Sequence, residues 1–339
     1  METELVWFGL PFIWAGLIAF AVYAYIVLDG FDLGVGILFP FFRGREERDL
    51  AMNSVAPVWD GNETWLVLGG GGLFAVFPLA YSVIMPALYA PIVAMLLGLI
   101  FRGVSFEFIH RTRRGRFLWE WGFFGGSLIA SLAQGIALGA LVQGVEVEGR
   151  AYAGGWWDWL TPFSLLTGAA LVVGYALLGA TWLVMKTEGD LQAFARRVAW
   201  GAGAGTVGLI GLVSLVTPFL QPLYFDRWFG WPTMVFSLVV PVMVAGCVWK
   251  LVDGLRREHD VTPFLAAQGL FALSFIGLGV SFFPYLAPPA LSIAEAAAPD
   301  ESLRFLLVGA VVLIPMILGY TAYAYWVFRG KVRPGDGYH

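Results

Sequence analysis

The chain alternates long apolar stretches with short polar connections along its whole length. Most of these stretches approach or exceed the roughly 20 residues that a helix needs to cross the hydrocarbon core of a membrane. The pattern therefore predicts nine membrane-spanning helices. The predicted spans are 7–28, 57–77, 79–101, 119–142, 162–185, 200–221, 232–253, 262–284 and 304–328.

The second and third stretches run together from Pro57 to Phe101. A single helix over this run would be about 68 Å long at 1.5 Å per residue, more than twice the thickness of a roughly 30 Å core. We therefore expect a tight hairpin near Pro78 that separates two spans.

Lysine and arginine residues are distributed unevenly over the connections. When nine spans alternate, only Arg150, Arg227 and Arg304 fall on one side, and the other 17 of the 20 basic residues fall on the opposite side. Basic connections stay in the cytoplasm. This predicts an N-terminus outside and a C-terminus in the cytoplasm.

The composition supports an integral membrane protein. Hydrophobic residues make up 59% of the chain, charged residues only 13%, and the mean hydropathy is +0.77, whereas soluble domains carry about 25% charge. We expect one helical membrane domain over residues 1–339. The single cysteine, Cys247, excludes an internal disulfide. Glu2 and Glu4 precede the first apolar stretch, so we expect no basic leader and no signal peptide.

An acidic pair interrupts the first apolar stretch. Asp29 and Asp32 are three residues apart and share one helix face. An acidic side chain at the bilayer centre costs about 2.5–3.5 kcal/mol on insertion scales, so such residues commonly mark a proton or ion route or a buried partner charge. The alternative is that both lie at the cytoplasmic interface, where they cap or solvate the helix.

The predicted second span carries a polar stripe. Asn53, Pro57, Asp60 and Thr64 follow one another at spacings of 4, 3 and 4, and Glu63 lies beside them. Pro57 leaves a backbone acceptor free for water. A hydrated stripe that leads to a buried carboxylate at Asp60 would suit proton delivery. The alternative is a polar contact between helices with no role in transfer.

Arg102 is a candidate charge partner for these acids. It follows directly on the predicted third span, with Glu107 five residues further on. Folded back beside the second span, it could pair with Asp60, Asp32 or Glu107, and the residues alone leave this choice open.

Ligands for a redox centre are scarce. The histidines, His110, His259 and His339, all fall in predicted cytoplasmic connections or at the C-terminus, and there is one cysteine. This pattern predicts no histidine-held haem and no iron–sulfur or zinc site within the spans. Methionine axial ligands stay open as an alternative, although methionine in a span is far more often a packing residue; the candidates are Met85, Met95, Met234 and Met243. The residues alone thus indicate a helical membrane protein that handles protons and has no redox centre of its own.

Three motifs resemble those of a known family. They are DGFDLGVG at 29–36, NSVAPVWDGNETW at 53–65 and FRGVSFE at 101–107. Together with the length and the nine predicted spans, they resemble subunit II of the cytochrome bd quinol oxidases over essentially the whole chain. The short connection at 222–231 is similar to that of the compact branch that includes cyanide-insensitive oxidases.

The resemblance implies a prokaryotic respiratory complex of the cytoplasmic membrane that oxidises quinol and reduces dioxygen to water. It implies nine helices as two four-helix bundles with one further helix. Haem b and haem d would belong to a partner, subunit I. Small single-span accessory subunits, membrane lipids and a structural quinone or lipid are further implied partners, and nucleic acid is not.

By the same resemblance, Asp60 matches a proton-pathway carboxylate, Asp32 matches an aspartate near its entrance, and Arg102 matches the arginine that ends the third helix. Our hypothesis is that cytoplasmic protons enter beside Asp32, with Asp29 and Glu63 nearby, and pass Asp60 to reach a haem at the interface. The alternatives are an ion-coupled secondary transporter and a purely structural subunit.

Overall fold

A computed structural model describes residues 9–109, 111–112 and 114–333 of the chain. Within these ranges the chain forms thirteen α-helices and two short antiparallel hairpins. The helices are α1 (Leu10–Leu38), α2 (Gly44–Val55), α3 (Trp59–Val76), α4 (Pro78–Ala87), α5 (Tyr89–Ile109), α6 (Arg116–Gln143), α7 (Pro162–Lys186), α8 (Gly189–Val216), α9 (Pro222–Phe229), α10 (Thr233–Arg256), α11 (Thr262–Phe282), α12 (Ile293–Ala296) and α13 (Asp300–Val327). The hairpins pair β1 (Val147–Glu148) with β2 (Ala151–Tyr152), and β3 (Tyr285–Ala287) with β4 (Leu291–Ser292).

Eight of the described helices are long and apolar enough to cross a membrane. These are α1, α5, α6, α7, α8, α10, α11 and α13. The predicted all-helical membrane class is therefore confirmed. The 18-residue helix α3 occupies the place of the predicted second span but is not among these eight, and Asp60, Asn62 and Glu63 lie in its first turns.

The segment around the predicted hairpin differs from expectation. Pro78 begins the ten-residue helix α4, and the next long helix, α5, begins only at Tyr89. Helix α5 continues to Ile109, so Arg102 lies inside it and not after its end. The prediction ended the span at the first charge. A buried acidic partner for Arg102 removes the reason for the helix to end there.

Helix α1 lies at the centre of the fold and packs against α3, α6, α7 and α11. Its contact with α7 depends on glycine. A Cβ atom on Gly34 would lie 1.9 Å from the carbonyl oxygen of Tyr175 and 2.7 Å from the backbone nitrogen of Gly179. Small residues allow membrane helices to approach this closely. Residues 29–38 of α1 are buried as a result.

A lysine at the end of α7 holds the end of α13. The ammonium group of Lys186 donates to the carbonyl oxygens of Phe328 and of Gly330, the latter at 2.7 Å. The backbone N–H of Val332 donates to the carbonyl of Lys186 at 2.8 Å. Carbonyls at a helix C-terminus lack intrahelical donors and attract cations. The contact thus anchors a helix that buries little of its own surface.

Candidate functional site: a buried acidic cluster around Arg102

Two carboxylates of α1 lie in the interior of the protein. Asp29 and Asp32 are both fully buried, with 0% exposure. Asp32 precedes the end of α1 by six residues, or about 9 Å at 1.5 Å per residue. The alternative that both aspartates cap or solvate the helix at the membrane surface is therefore wrong. Their burial calls for partners.

Arg102 is the partner of Asp29. Its Nη2 lies 2.6 Å from Oδ1 of Asp29, and both side chains are fully buried. The guanidinium carbon of Arg102 lies 5.8 Å from the ring centroid of Trp59, a cation–π contact. The partner is none of the three acids that the sequence left open, which were Asp60, Asp32 and Glu107. Helix α5 continues beyond the predicted end of the span, so Arg102 lies within the helix, where it contacts Asp29.

Glu63 is a second carboxylate near the same guanidinium. Its Oε2 lies 3.7 Å from Nη2 of Arg102, and its side chain is 25% exposed. The predicted charge partner Glu107 does not take part. It lies on the surface near the end of α5 and pairs with Arg111 at 3.3 Å, both side chains being more than half exposed. Arg102 is thus shared between one fully buried and one partly exposed carboxylate.

Asp32 is held by an amide. Nδ2 of Asn62 donates to Oδ2 of Asp32 at 2.7 Å and to the carbonyl oxygen of Leu28 at 3.2 Å. The hydroxyl of Tyr325, on α13, donates to Oδ1 of Asn62 at 2.9 Å. Sequence reasoning did not single out Asn62 or Tyr325. The signal for Asn62 was its place between the two acids of α3, on the opposite helix face from Asp60.

The predicted continuous polar stripe does not form. Asn53 lies on α2, whereas Asp60 and Thr64 lie on α3, because the chain turns at residues 56–58 around Pro57. Asp60 and Thr64 are exposed on the outer surface of the chain, and the Thr64 hydroxyl donates to the backbone carbonyl of Asp60 at 3.1 Å. The expectation of a buried Asp60 is therefore wrong for the isolated chain.

Several buried polar atoms of the cluster have no hydrogen-bond partner among the described residues. They are Oδ2 of Asp29, Oδ1 of Asp32, Nε and Nη1 of Arg102 and the hydroxyl of Tyr25. Buried polar atoms are nearly always paired, often with ordered water. A site with this many free donors and acceptors is suited to hold water, and water between carboxylates is a medium through which protons move.

The sequence comparisons identify the family. A family model for cytochrome bd terminal oxidase subunit II matches residues 10–328. The chain belongs to this family. As a subunit II, it is 31% identical, over an alignment of 364 positions including gaps, to "Cytochrome bd-I ubiquinol oxidase subunit 2" of Escherichia coli (strain K12), with 96% of each chain covered.

A further relative agrees with this assignment, and a solved structure shares the fold. The subunit is 28% identical over 333 residues to "Cytochrome bd ubiquinol oxidase subunit 2" of Bacillus subtilis (strain 168), with 94% of this chain and 96% of the relative covered. Its fold is similar to a chain of the bd oxidase structure from Geobacillus thermodenitrificans, with a TM-score of 0.78, 18% identity, and 94% and 98% of the two chains covered. Subunit II is thus a multi-pass protein of the bacterial inner membrane.

In the described part of subunit II, no group of three or more His, Cys, Asp and Glu side chains is placed to hold a metal ion. His259 lies in the connection between α10 and α11, and Cys247 is a half-buried residue of α10. His110 and His339 lie outside the described residues.

Proposed function

We propose that this chain serves a quinol:oxygen oxidoreductase as a subunit that binds no haem itself, and that it carries protons from the cytoplasm toward the oxygen-reducing haem of subunit I. The relatives' names, which describe subunits of ubiquinol oxidases, support the activity of the complex. The observation that carries the proton role is the cluster of two fully buried aspartates around Arg102.

The proposal includes a membrane topology. Helix α3 is the second of nine spans, the N-terminus is outside and the C-terminus is in the cytoplasm. The spans form two four-helix bundles with one further helix. The basic connections support this orientation, because α2 and the ends of α7 and α10 carry lysine and arginine at one end of the fold. That end is also where α1 ends, about 9 Å from Asp32.

The exposure of the acidic side chains gives the route a direction. Asp32 and Asp29 are fully buried, Glu63 is 25% exposed, and Asp60 is on the outer surface. Protons would therefore pass from Asp32 to Glu63, and then to Asp60. An aspartate facing lipid hydrocarbon would cost about 2.5–3.5 kcal/mol. This favours a partner subunit covering the face of α3 that carries Asp60.

The charge of the cluster suits a group that binds and releases protons. With Asp29, Asp32 and Glu63 all ionised, only Arg102 would oppose three negative charges. Two uncompensated charges within the membrane are costly, so a bound proton relieves the imbalance. Asp32 is the acid best placed for this, because its described partner is an amide and not a cation.

Electron transfer from quinol and reduction of dioxygen would be supplied by haem b and haem d in subunit I. Protons released outside by quinol and protons taken up inside by oxygen reduction would build the gradient without pumping. Small single-span subunits and a structural quinone or lipid are further proposed partners. Membership of the compact, cyanide-insensitive branch stays a prediction from the short connection at 222–231, which contains helix α9.

Membership of the family favours the oxidase subunit over the ion-coupled transporter. The remaining alternative is a purely structural subunit, and the two roles predict different variants. Asp32→Asn and Asp60→Asn keep the size of the side chain and remove its charge. We expect both to lower quinol-driven oxygen consumption by roughly tenfold or more at full haem content, since a positioned acid or base contributes about 10²–10⁴-fold.

Glu107→Gln is the matched control, because this acid is exposed and paired with Arg111 outside the cluster. It should consume oxygen at the parental rate. Parental rates in fully haem-loaded Asp32→Asn and Asp60→Asn complexes would refute the proton route. Loss of haem from these complexes at parental specific activity per haem would instead identify a structural role.

A further inference from the structure

A small cavity lies between the beginning of α3 and the last turns of α13. Its volume is about 30 Å³, and it is partly open to the surface. One water molecule needs roughly 10–15 Å³ by the same measure, so the cavity has room for water. Its walls are formed by two segments of the chain. They are Pro57, Val58, Gly61 and Asn62 on the α3 side, and Tyr320, Thr321, Ala324 and Tyr325 on the α13 side.

The cavity leads to the acidic cluster through one side chain. Asn62 lines the cavity and also donates to Oδ2 of Asp32 at 2.7 Å. Tyr325 lines the opposite wall and donates to Oδ1 of Asn62 at 2.9 Å. The amide and the hydroxyl are polar partners for water. Oδ1 of Asp32 has no described partner, so the acid behind Asn62 retains capacity for a further hydrogen bond.

We propose that this cavity is the hydrated inlet through which protons reach Asp32, and that Tyr325 is a positioning residue that orients Asn62. The inference rests on the proposed proton role and adds the place where the route begins. The inlet lies at the end of the fold where α1 and α13 end and α3 begins. Protons enter between α3 and α13, and Asp60, on the outer face of α3, lies at the far end of the route.

The position of α13 determines whether the inlet exists. This helix supplies one wall, buries little of its own surface and is held at its end by Lys186. Tyr325 lies three residues before the carbonyl of Phe328 that Lys186 contacts. The anchoring of α13 therefore fixes the distance between Tyr325 and Asn62, and with it the width of the inlet.

Cysteine reactivity tests the inlet with a small substitution. In a Cys247→Ala background, Ala324→Cys places a thiol in the cavity wall, and Ala322→Cys places one on the same helix, away from the cavity. Labelling of this subunit in the purified complex by a charged methanethiosulfonate reagent is followed by intact-protein mass spectrometry. Ala322 lies on the exposed face of α13, which the proposed topology places in lipid hydrocarbon. Because only the hydrated thiolate reacts, Ala324→Cys should react about tenfold faster than Ala322→Cys.

The attached label should then block the cavity. Modified Ala324→Cys complex should consume oxygen roughly tenfold more slowly with its haem content unchanged, in line with the contribution of a positioned proton donor. Equal labelling rates at Ala324→Cys and Ala322→Cys would overturn the inlet. Rapid labelling without loss of turnover, while Asp32→Asn is slow, would also overturn it and leave the proton route intact. A parental rate in Asp32→Asn would remove the proton route itself.

Filling the cavity from the other wall gives a second test. A Cβ atom on Gly61 meets nothing within 4 Å, and the same holds for Gly246 on α10, far from the cavity. Gly61→Val should slow oxygen consumption at full haem content, whereas Gly246→Val should not. Tyr325→Phe should slow it less, because it frees Asn62 without closing the cavity. Parental turnover in Gly61→Val would contradict the proposal.

Discussion

Removing the charge of Arg102 should destabilise the complex more than removing the charge of Asp29. The two side chains are fully buried and 2.6 Å apart. Asp29 forms no other salt bridge among the described residues, so Arg102→Gln leaves a buried carboxylate without a cation. Breaking a buried pair in this way costs about 3–5 kcal/mol. Asp29→Asn is milder, because Arg102 still has Glu63 at 3.7 Å.

The double variant separates the pair from its surroundings. Asp29→Asn with Arg102→Gln removes both charges and keeps hydrogen-bonding groups in place, so it should recover much of the loss caused by Arg102→Gln alone. Groups in direct contact show coupling free energies of about 0.5–3 kcal/mol in such cycles. The recovery should lie at the upper end of this range, because both side chains are fully buried.

Thermal stability of the purified complex, followed by haem absorbance, measures the effect. An unfolding entropy of about 2.1 cal/mol/K per residue over 339 residues corresponds to about 1.4 °C per kcal/mol, so Arg102→Gln should lower the midpoint by roughly 4–7 °C. Arg111→Gln removes an exposed partner of Glu107 and should leave the midpoint unchanged. If the double variant loses the sum of the two single losses, Arg102 and Asp29 do not act as a pair and the reasoning fails.

Three further predictions concern packing, anchoring and the connection between α11 and α13. Gly34→Ala should reduce the yield of folded subunit while Gly16→Ala does not, since an added Cβ meets backbone atoms of α7 at the first position and nothing within 4 Å at the second. Lys186→Met should speed proteolysis after α13, because the carbonyls that follow this helix lose their cation. Two hydrogen bonds from Ser292 lower the pKa of Glu295 below its ordinary value of 4.5. Their stabilisation of this connection is present above that value and disappears as the pH falls through the lowered pKa. After correction for the intrinsic pH dependence of exchange, the protection of amides around α12 should therefore decrease below about pH 4.5 in the parent. The same pH step should not change this protection in Glu295→Gln.

The class of the fold and most of its helices follow from hydropathy. The acids of the cluster also follow from the sequence, because charges within apolar stretches are rare and costly. The pairing of these acids with Arg102 does not follow from the sequence. Arg102 and Asp29 are 73 residues apart, and a prediction that ends the third span at Arg102 places this side chain at the membrane surface. The helix continues because a buried acid compensates the charge, which only the folded arrangement reveals.

The roles of the polar residues in α3 depend on how this helix is rotated about its own axis, and hydropathy leaves that rotation undetermined. A stripe through Asn53, Pro57 and Asp60 assumes one continuous helix, and the turn at Pro57 removes that assumption. The role of Tyr325 could not be predicted from the sequence for a different reason. It hydrogen-bonds Asn62 from 263 residues away, and tyrosines are common near the ends of membrane helices, so composition does not distinguish it from an interfacial anchor.

The geometry of α3 explains why one acid of its polar run must face outward. Successive residues turn by about 100° around a helix axis, so Asn62 lies roughly 200° from Asp60. Any packing that turns Asn62 toward Asp32 therefore turns Asp60 away from the core. Glu63 lies about 60° from Asp60 and 100° from Asn62, between the two faces, which agrees with its partial exposure. Asn62, Glu63 and Asp60 thus lie in turn from the buried face of α3 to its outer face. Glu63 is the acid through which a proton can pass between the buried cluster and the outward-facing Asp60.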